Sequence, residues 1–186
     1  MIAQRLLQPG SKLACVRALS QSTLADELGV AGCDEDELYA ALDWLDGRQP
    51  AIEARLARRH LGAGELALYD LSSSYFEGRS CPLAALGYSR DGRRGTPQIV
   101  YGLLTDRAGK PVAVEVFAGA THDHQTVPAQ LDKLKARFGL SGLVLVADRG
   151  MVTRANLDAI RDAEGIEWIT ALKAPQLKRL AREGAF

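Results

Sequence analysis

Asp70 and Asp148 are the residues of this 186-residue chain whose setting most suggests chemistry. Each closes an apolar run, "LALY" before Asp70 and "LVLVA" before Asp148. A carboxylate at the end of a buried strand is costly unless something pairs with it. Two such groups at one place repel, and both stay ionised when a cation sits between them. All-oxygen ligation with water in the remaining positions suits Mg²⁺ or Mn²⁺. The plainer reading makes each aspartate a helix cap or a turn residue after its strand, and the spacing leaves both readings open.

Other groups compete for attention. Arg79, Arg90, Arg93 and Arg94 cluster after the first of these runs, and residues 79 to 97 hold four positive charges against Asp91, a net of +3. A glycine-rich basic loop beside a carboxylate edge is suited to DNA phosphates, against the alternative of a merely solvated loop. "THDHQT" offers His122 and His124 as an HxH pair, but Thr121, Asp123 or Thr126 there is more simply the cap of the next helix. Ser72, Ser73 and Ser74 lack a GxSxG elbow, and "DLSSS" carries Ser72 where a DxDxT phosphatase motif has its second aspartate. They are expected to satisfy backbone groups at the strand exit. Glu115 in "VAVEVFAG" faces solvent or stands in for a lost acid, and Trp44 and Trp168 read as packing residues.

These residues need elements to hold them. Residues 1 to 62 read as a small all-helical domain. Ser22-Thr23 precedes a short helix stopped near Gly29. Asp34 with Glu37 forms an acidic capping box for a second helix. Leu38, Ala41, Leu42 and Leu45 fall on its inward face, and Gly47 ends it. Pro50 suits the first turn of a third helix, running to about Leu61. Ala25 and Gly29 have helix-turn-helix spacing, yet the second helix opens on Asp34, Glu35, Asp36 and Glu37, which phosphates repel. The third helix, with Arg48, Arg55, Arg58 and Arg59 against Glu53, is the better DNA surface.

From 63 to 186 the period changes. "ELALYD", "QIVYGLLTD" and "PVAVEVFAG" read as strands, with a hairpin turn from Asp106 to Lys110 between the last two. Val127, Leu131, Leu134 and Phe138 mark a helix. "GLVLVAD" is uniformly apolar, so a central strand covered on both sides is expected. A helix capped by Thr153, with Leu157 and Ile160 inward, a strand "IEWITALK" and a basic helix near Pro175 follow. The order β-β-β-α-β-α-β-α predicts an α/β mixed sheet in which the first and fourth strands lie parallel and adjacent. Asp70 and Asp148, 78 positions apart (148 − 70), then meet at one edge.

Bulk composition narrows the class. The chain is 47% hydrophobic and 25% charged, as a globular protein is. Lys+Arg and Asp+Glu both number 23, so net charge names no partner. Three scattered cysteines argue against a disulfide frame and a zinc site. No apolar run reaches a membrane span, and no apolar signal-peptide block opens the chain. A cytoplasmic location is expected.

Four ordered blocks, "YDLSSSYFEG", "GYSRDGRRGTPQIVYGLLTD", "GKPVAVEVFAGATHDHQT" and "VLVADRGM", resemble those of DDE transposases of bacterial insertion sequences, insertion-sequence family four and its relatives above all. "QPGSKLA" and "DEDELYAALDWL" resemble that group's helical N-terminal part. The resemblance implies a ribonuclease H-like fold and Mg²⁺- or Mn²⁺-dependent phosphoryl transfer on DNA, with a homodimer as a further expectation. It makes Asp70 the first acid, shared by two ions, and Asp148 the second, binding one. The third acid of the family is a glutamate on a helix beyond a long insertion after the fifth strand. This chain stops at Phe186, so the expectation is a site short of that acid. The alternatives are a ribonuclease H-like nuclease and a non-catalytic DNA-binding or dimerising remnant.

Overall fold

The computed structural model describes residues 1–186 apart from 63, 90, 91, 94, 141, 152, 163, 164, 173 and 186, and apart from the Arg154 side chain. The chain divides into two compact units, Met1–Ile52 and Glu53–Phe186. The division falls ten residues before the expected 62/63 boundary (62 − 52), inside a helix.

The smaller unit holds α1 (Ile2–Leu7), α2 (Lys12–Ser20), α3 (Leu24–Glu27), α4 (Glu35–Asp46) and the start of α5 (Gln49–His60). Ser11 Oγ caps α2 by accepting from Ala14 N at 3.1 Å. The capping box of α4 forms as expected. Asp34 Oδ1 accepts from Glu37 N at 2.9 Å, and Glu37 Oε2 accepts from Asp34 N at 3.2 Å. Cys15, Leu19, Ala25 and Leu38 form a small core. Of the four residues expected inward on α4, Leu38 is buried, Leu42 and Leu45 are half-buried, and Ala41 is exposed. So small a unit has too little apolar surface to cover a three-turn helix face. Trp44 is 57% exposed rather than packed. It carries the Arg48 guanidinium 3.6 Å from its ring centroid instead.

The larger unit is built on five strands: β1 (Leu66–Tyr75), β2 (Gln98–Asp106), β3 (Pro111–Ala118), β4 (Leu143–Ala147) and β5 (Ile166–Ile169). Their order is β3-β2-β1-β4-β5. β1–β2 and β2–β3 are antiparallel, while β1–β4 and β4–β5 are parallel. With α6 (Asp123–Asp132) between β3 and β4, α7 (Arg154–Asp162) between β4 and β5, and α8 (Ala174–Arg182) last, this is the expected α/β mixed sheet, with β1 and β4 parallel and adjacent. No described helix is long and apolar enough to cross a membrane.

Alternation along the strands separates two faces. Ala67, Tyr69, Leu71, Val100, Leu104, Leu143 and Leu145 pack against Ala57, Val127, Leu131, Leu134 and Ile160 from the helices and Leu61 just past α5. Each fully buried leucine here contributes about 1.5–3 kcal/mol. On the opposite face Leu103, Val114, Val116 and Ile169 are exposed, and Val144 and Val146 are half-buried. β4 is therefore interior to the sheet as expected, but among the described residues only one of its faces is fully covered.

The Val127-Leu131-Leu134-Phe138 spacing marks α6 correctly. Past Asp132 the helix widens into a π-helical turn, Lys133–Arg137, closed by the Phe138 N–H on the Lys133 carbonyl at 3.1 Å.

Candidate active site

Asp70 is not at the end of its strand. β1 runs on to Tyr75 because its antiparallel pairing with β2 continues to Tyr75 opposite Gln98. What ends at Asp70 is the parallel ladder with β4, whose last pair is Tyr69 with Ala147. Asp70 and Asp148 are thus the next residues on two adjacent strands, which lie about 4.8 Å apart. Both are exposed. Asp70 Oδ1 accepts from Leu71 N at 2.9 Å, and Asp148 Oδ1 accepts from Arg149 N at 2.7 Å. Each carboxylate is oriented by the backbone immediately after it. Both line one open groove of about 570 Å³, together with Leu68, Leu103, Thr105 and Val146. Two fixed carboxylates facing one groove fit a hard cation that keeps most of its waters.

Beyond Asp148 the chain makes a 3₁₀ turn, Arg149–Met151. A Cβ on Gly150 would lie 3.2 Å from Asp123 Oδ2 and 3.7 Å from Asp148 Oδ2, so the missing side chain lets the turn approach the start of α6. That brings Asp123, by sequence only a candidate helix cap, near Asp148. In the structure none of Thr121, Asp123 and Thr126 is the cap. His122 occupies the cap position, and Gln125 Oε1 accepts from its N–H at 2.8 Å. The His122 and His124 rings stack at 5.7 Å. Among the described residues no three His, Cys, Asp or Glu side chains are grouped to hold a metal ion. Thr153 caps α7 as expected, accepting from Asn156 N at 3.2 Å.

The other candidates sort by position. Arg55, Arg58 and Arg59 are all exposed, away from the buried Glu53 and Ala57 of α5. Arg79 is exposed. Arg93 pairs with Glu77 Oε1 at 3.3 Å and lies over the Tyr75 ring at 5.0 Å. Arg90 and Arg94 fall outside the described residues. Ser72, Ser73 and Ser74 are inside β1, not at an exit, since the strand outlasts them. The hydroxyl of Ser74 meets that of Tyr101 at 3.3 Å. Hydrogen bonding from Ser72, then Ser74, holds the Tyr101 phenol below its ordinary value. Glu115 neither faces solvent alone nor substitutes for an acid at the edge. It binds Lys133 Nζ at 2.6 Å. Trp168 is 40% exposed and flanks Leu145 and Ile160 on the helix side of β5.

Comparison with solved structures gives distant likenesses. The piggyBac transposase synaptic complex with hairpin DNA is 12% identical, with a TM-score of 0.45 over 61% of this chain and 24% of that one. The Mos1 transposase paired-end complex with left transposon end is 15% identical, with a TM-score of 0.39 over 87% of this chain and 59% of that one. The Mos1 strand transfer complex is 16% identical, with a TM-score of 0.41 over 96% and 66%. The chain thus spans about a quarter of the piggyBac chain and under two thirds of these two Mos1 chains. No curated protein matches it in sequence. The sequence model of the transposase DDE domain matches residues 78–183, a stretch that contains Asp148 and begins after Asp70. That match covers more than half of the 186 residues, and the chain belongs to the transposase DDE domain family.

Proposed function

We propose that this chain carries the first two acids of a DNA transposase site of the insertion-sequence family four type, with Asp70 and Asp148 as the metal ligands. The observation that carries the reading is their meeting at the end of the β1–β4 ladder, in one groove, on a chain whose residues 78–183, Asp148 among them, match the transposase DDE domain. A divalent cation bound there supplies activation of a water or 3′-hydroxyl and stabilises the leaving oxygen. The chain's own part is to hold and orient. The Leu71 and Arg149 N–H groups fix the two carboxylates, so they are positioned before the ion arrives. Arg79, Arg90, Arg93 and Arg94 after β1, and Arg55, Arg58 and Arg59 on α5, hold DNA phosphates. A homodimer on paired DNA ends is part of the same reading.

With two carboxylates and waters we read these 186 residues as binding the ion weakly and not cutting DNA. A reacting group misplaced by ~1 Å loses on the order of 100-fold in rate, and an absent ligand should cost more. The test is Mn²⁺ titration together with a labelled transposon-end duplex. Weak Mn²⁺ binding, lost in the Asp70→Asn plus Asp148→Asn chain, and an uncut duplex are expected. Binding that survives the double substitution rejects the metal assignment. Metal-dependent nicking abolished by either substitution places a third acid within this chain.

A further inference from the structure

Asp148 lies one residue past the last β1–β4 pair, so the ladder does not fix it directly. Its place depends on the Arg149–Met151 turn, which the Met151 N–H closes onto the Asp148 carbonyl at 3.1 Å. Asn156, on α7, is 6% exposed and stands on the side of that helix that also buries Ile160. Its Nδ2 donates to the Met151 carbonyl at 2.7 Å and to the His124 carbonyl at 2.7 Å. The His124 carbonyl needs such a donor. The residue four positions on is Pro128, which has no N–H to complete the helical bond. A buried amide inside a helix is a poor choice for packing or for helix propensity. Matching one amide to two carbonyls on two segments accounts for it.

We propose that Asn156 is a positioning residue for Asp148. It ties the turn that carries Asp148 to the first turn of α6, and so sets where the carboxylate stands beside Asp70. The inference rests on reading Asp148 as a ligand. Gly150 belongs to the same arrangement, because its bare Cα lets the turn close on Asp123.

The test compares Asn156→Ala with Ile160→Ala, a core truncation on the same helix that leaves both hydrogen bonds in place. In Asn156→Ala the Met151 amide exchanges with solvent about tenfold faster or more, while that of Leu145 in β4 keeps its protection. Mn²⁺ affinity in the same variant falls by about 10–100-fold, as for loss of an outer-shell partner. Ile160→Ala lowers the melting temperature and leaves Mn²⁺ affinity unchanged. Adding Pro128→Ala to Asn156→Ala restores an N–H to the His124 carbonyl. It recovers melting temperature without recovering Met151 protection. Exchange that rises equally at Met151 and Leu145, or full recovery of Met151 protection by Pro128→Ala, overturns the proposal. The exchange readout needs no metal. Failure of the metal reading shows separately, as Mn²⁺ binding unaffected by Asp70→Asn plus Asp148→Asn.

Discussion

Gly102 lies in β2, diagonal to Tyr69 across the β1–β2 pair. A Cβ there would sit 2.7 Å from Tyr69 Cε2 and overlap the phenol oxygen. Tyr69 is 2% exposed and cannot swing away, and burial pushes its hydroxyl up to about 12. Alanine usually suits a strand better than glycine, by about 0.5–1 kcal/mol. Here overpacking outweighs that gain, and Gly102→Ala lowers stability by about 1–2 kcal/mol in urea unfolding. A stabilised variant would mean that the ring moves freely. Asp106 offers a test by pH. The Lys110 backbone N–H holds this carboxyl below its ordinary value; burial opposes the shift, and the Ala108 N–H and the Lys110 and His60 charges assist it. As pH falls, the unfolded chain binds the proton first, near the ordinary value of about 3.9. The contribution is therefore full above that value and lost as pH drops through the lower, folded one. Asp106→Ala should be less stable than wild type at about pH 5, and the margin should narrow as pH falls below about 4. A margin that widens in acid reverses the sign of the shift.

At the scale of elements, α5, β3 and the π-helical turn share one buried charge cluster. Lys133 Nζ, 2% exposed, lies 3.1 Å from Glu53 Oε2 and 2.6 Å from Glu115 Oε2, and donates to the Val114 carbonyl at 3.1 Å. Glu53 Oε1 also accepts from Val114 N at 3.0 Å. Backbone and side chain are bound together at one point of the β3 edge. Removing one member of such a cluster leaves the others charged without their partner, which costs far more than the cluster contributes net. Lys133→Met should destabilise the larger unit by about 3–5 kcal/mol, read from chemical denaturation. A loss under about 1 kcal/mol would show that the two carboxylates find water or protons instead.

For the whole molecule, net charge is zero, so any DNA affinity must come from local clusters. Substituting Arg90, Arg93 and Arg94 together should flatten the slope of log K against log[salt] by about 0.9 for each phosphate no longer neutralised, at most about 2.7 if all three meet phosphates. Arg93 already shares its charge with Glu77, so its single substitution should change the slope less than that of Arg79. An unchanged slope after the triple substitution returns the loop to a merely solvated role.

Local chemistry was written in the sequence. The Asp34–Glu37 box, the Thr153 cap and the Asp106–Lys110 turn each depend on residues two to four apart, and each forms as expected. The order of strands and helices also allows β1 and β4 to lie side by side and parallel, with Asp70 and Asp148 at one edge, and the sheet takes that order. Tertiary structure alone decided the rest. β1 outruns Asp70 because β2 keeps pairing with it, so the two aspartates meet at a ladder's end rather than a strand's end. Lys133 finds Glu53, 80 positions away, and no local pattern marks a buried lysine. Asn156 reads in sequence as an ordinary polar helix residue. Its role depends on Pro128 leaving one carbonyl without a donor and on the turn after Asp148 placing another within reach, and that combination exists only once the chain has folded.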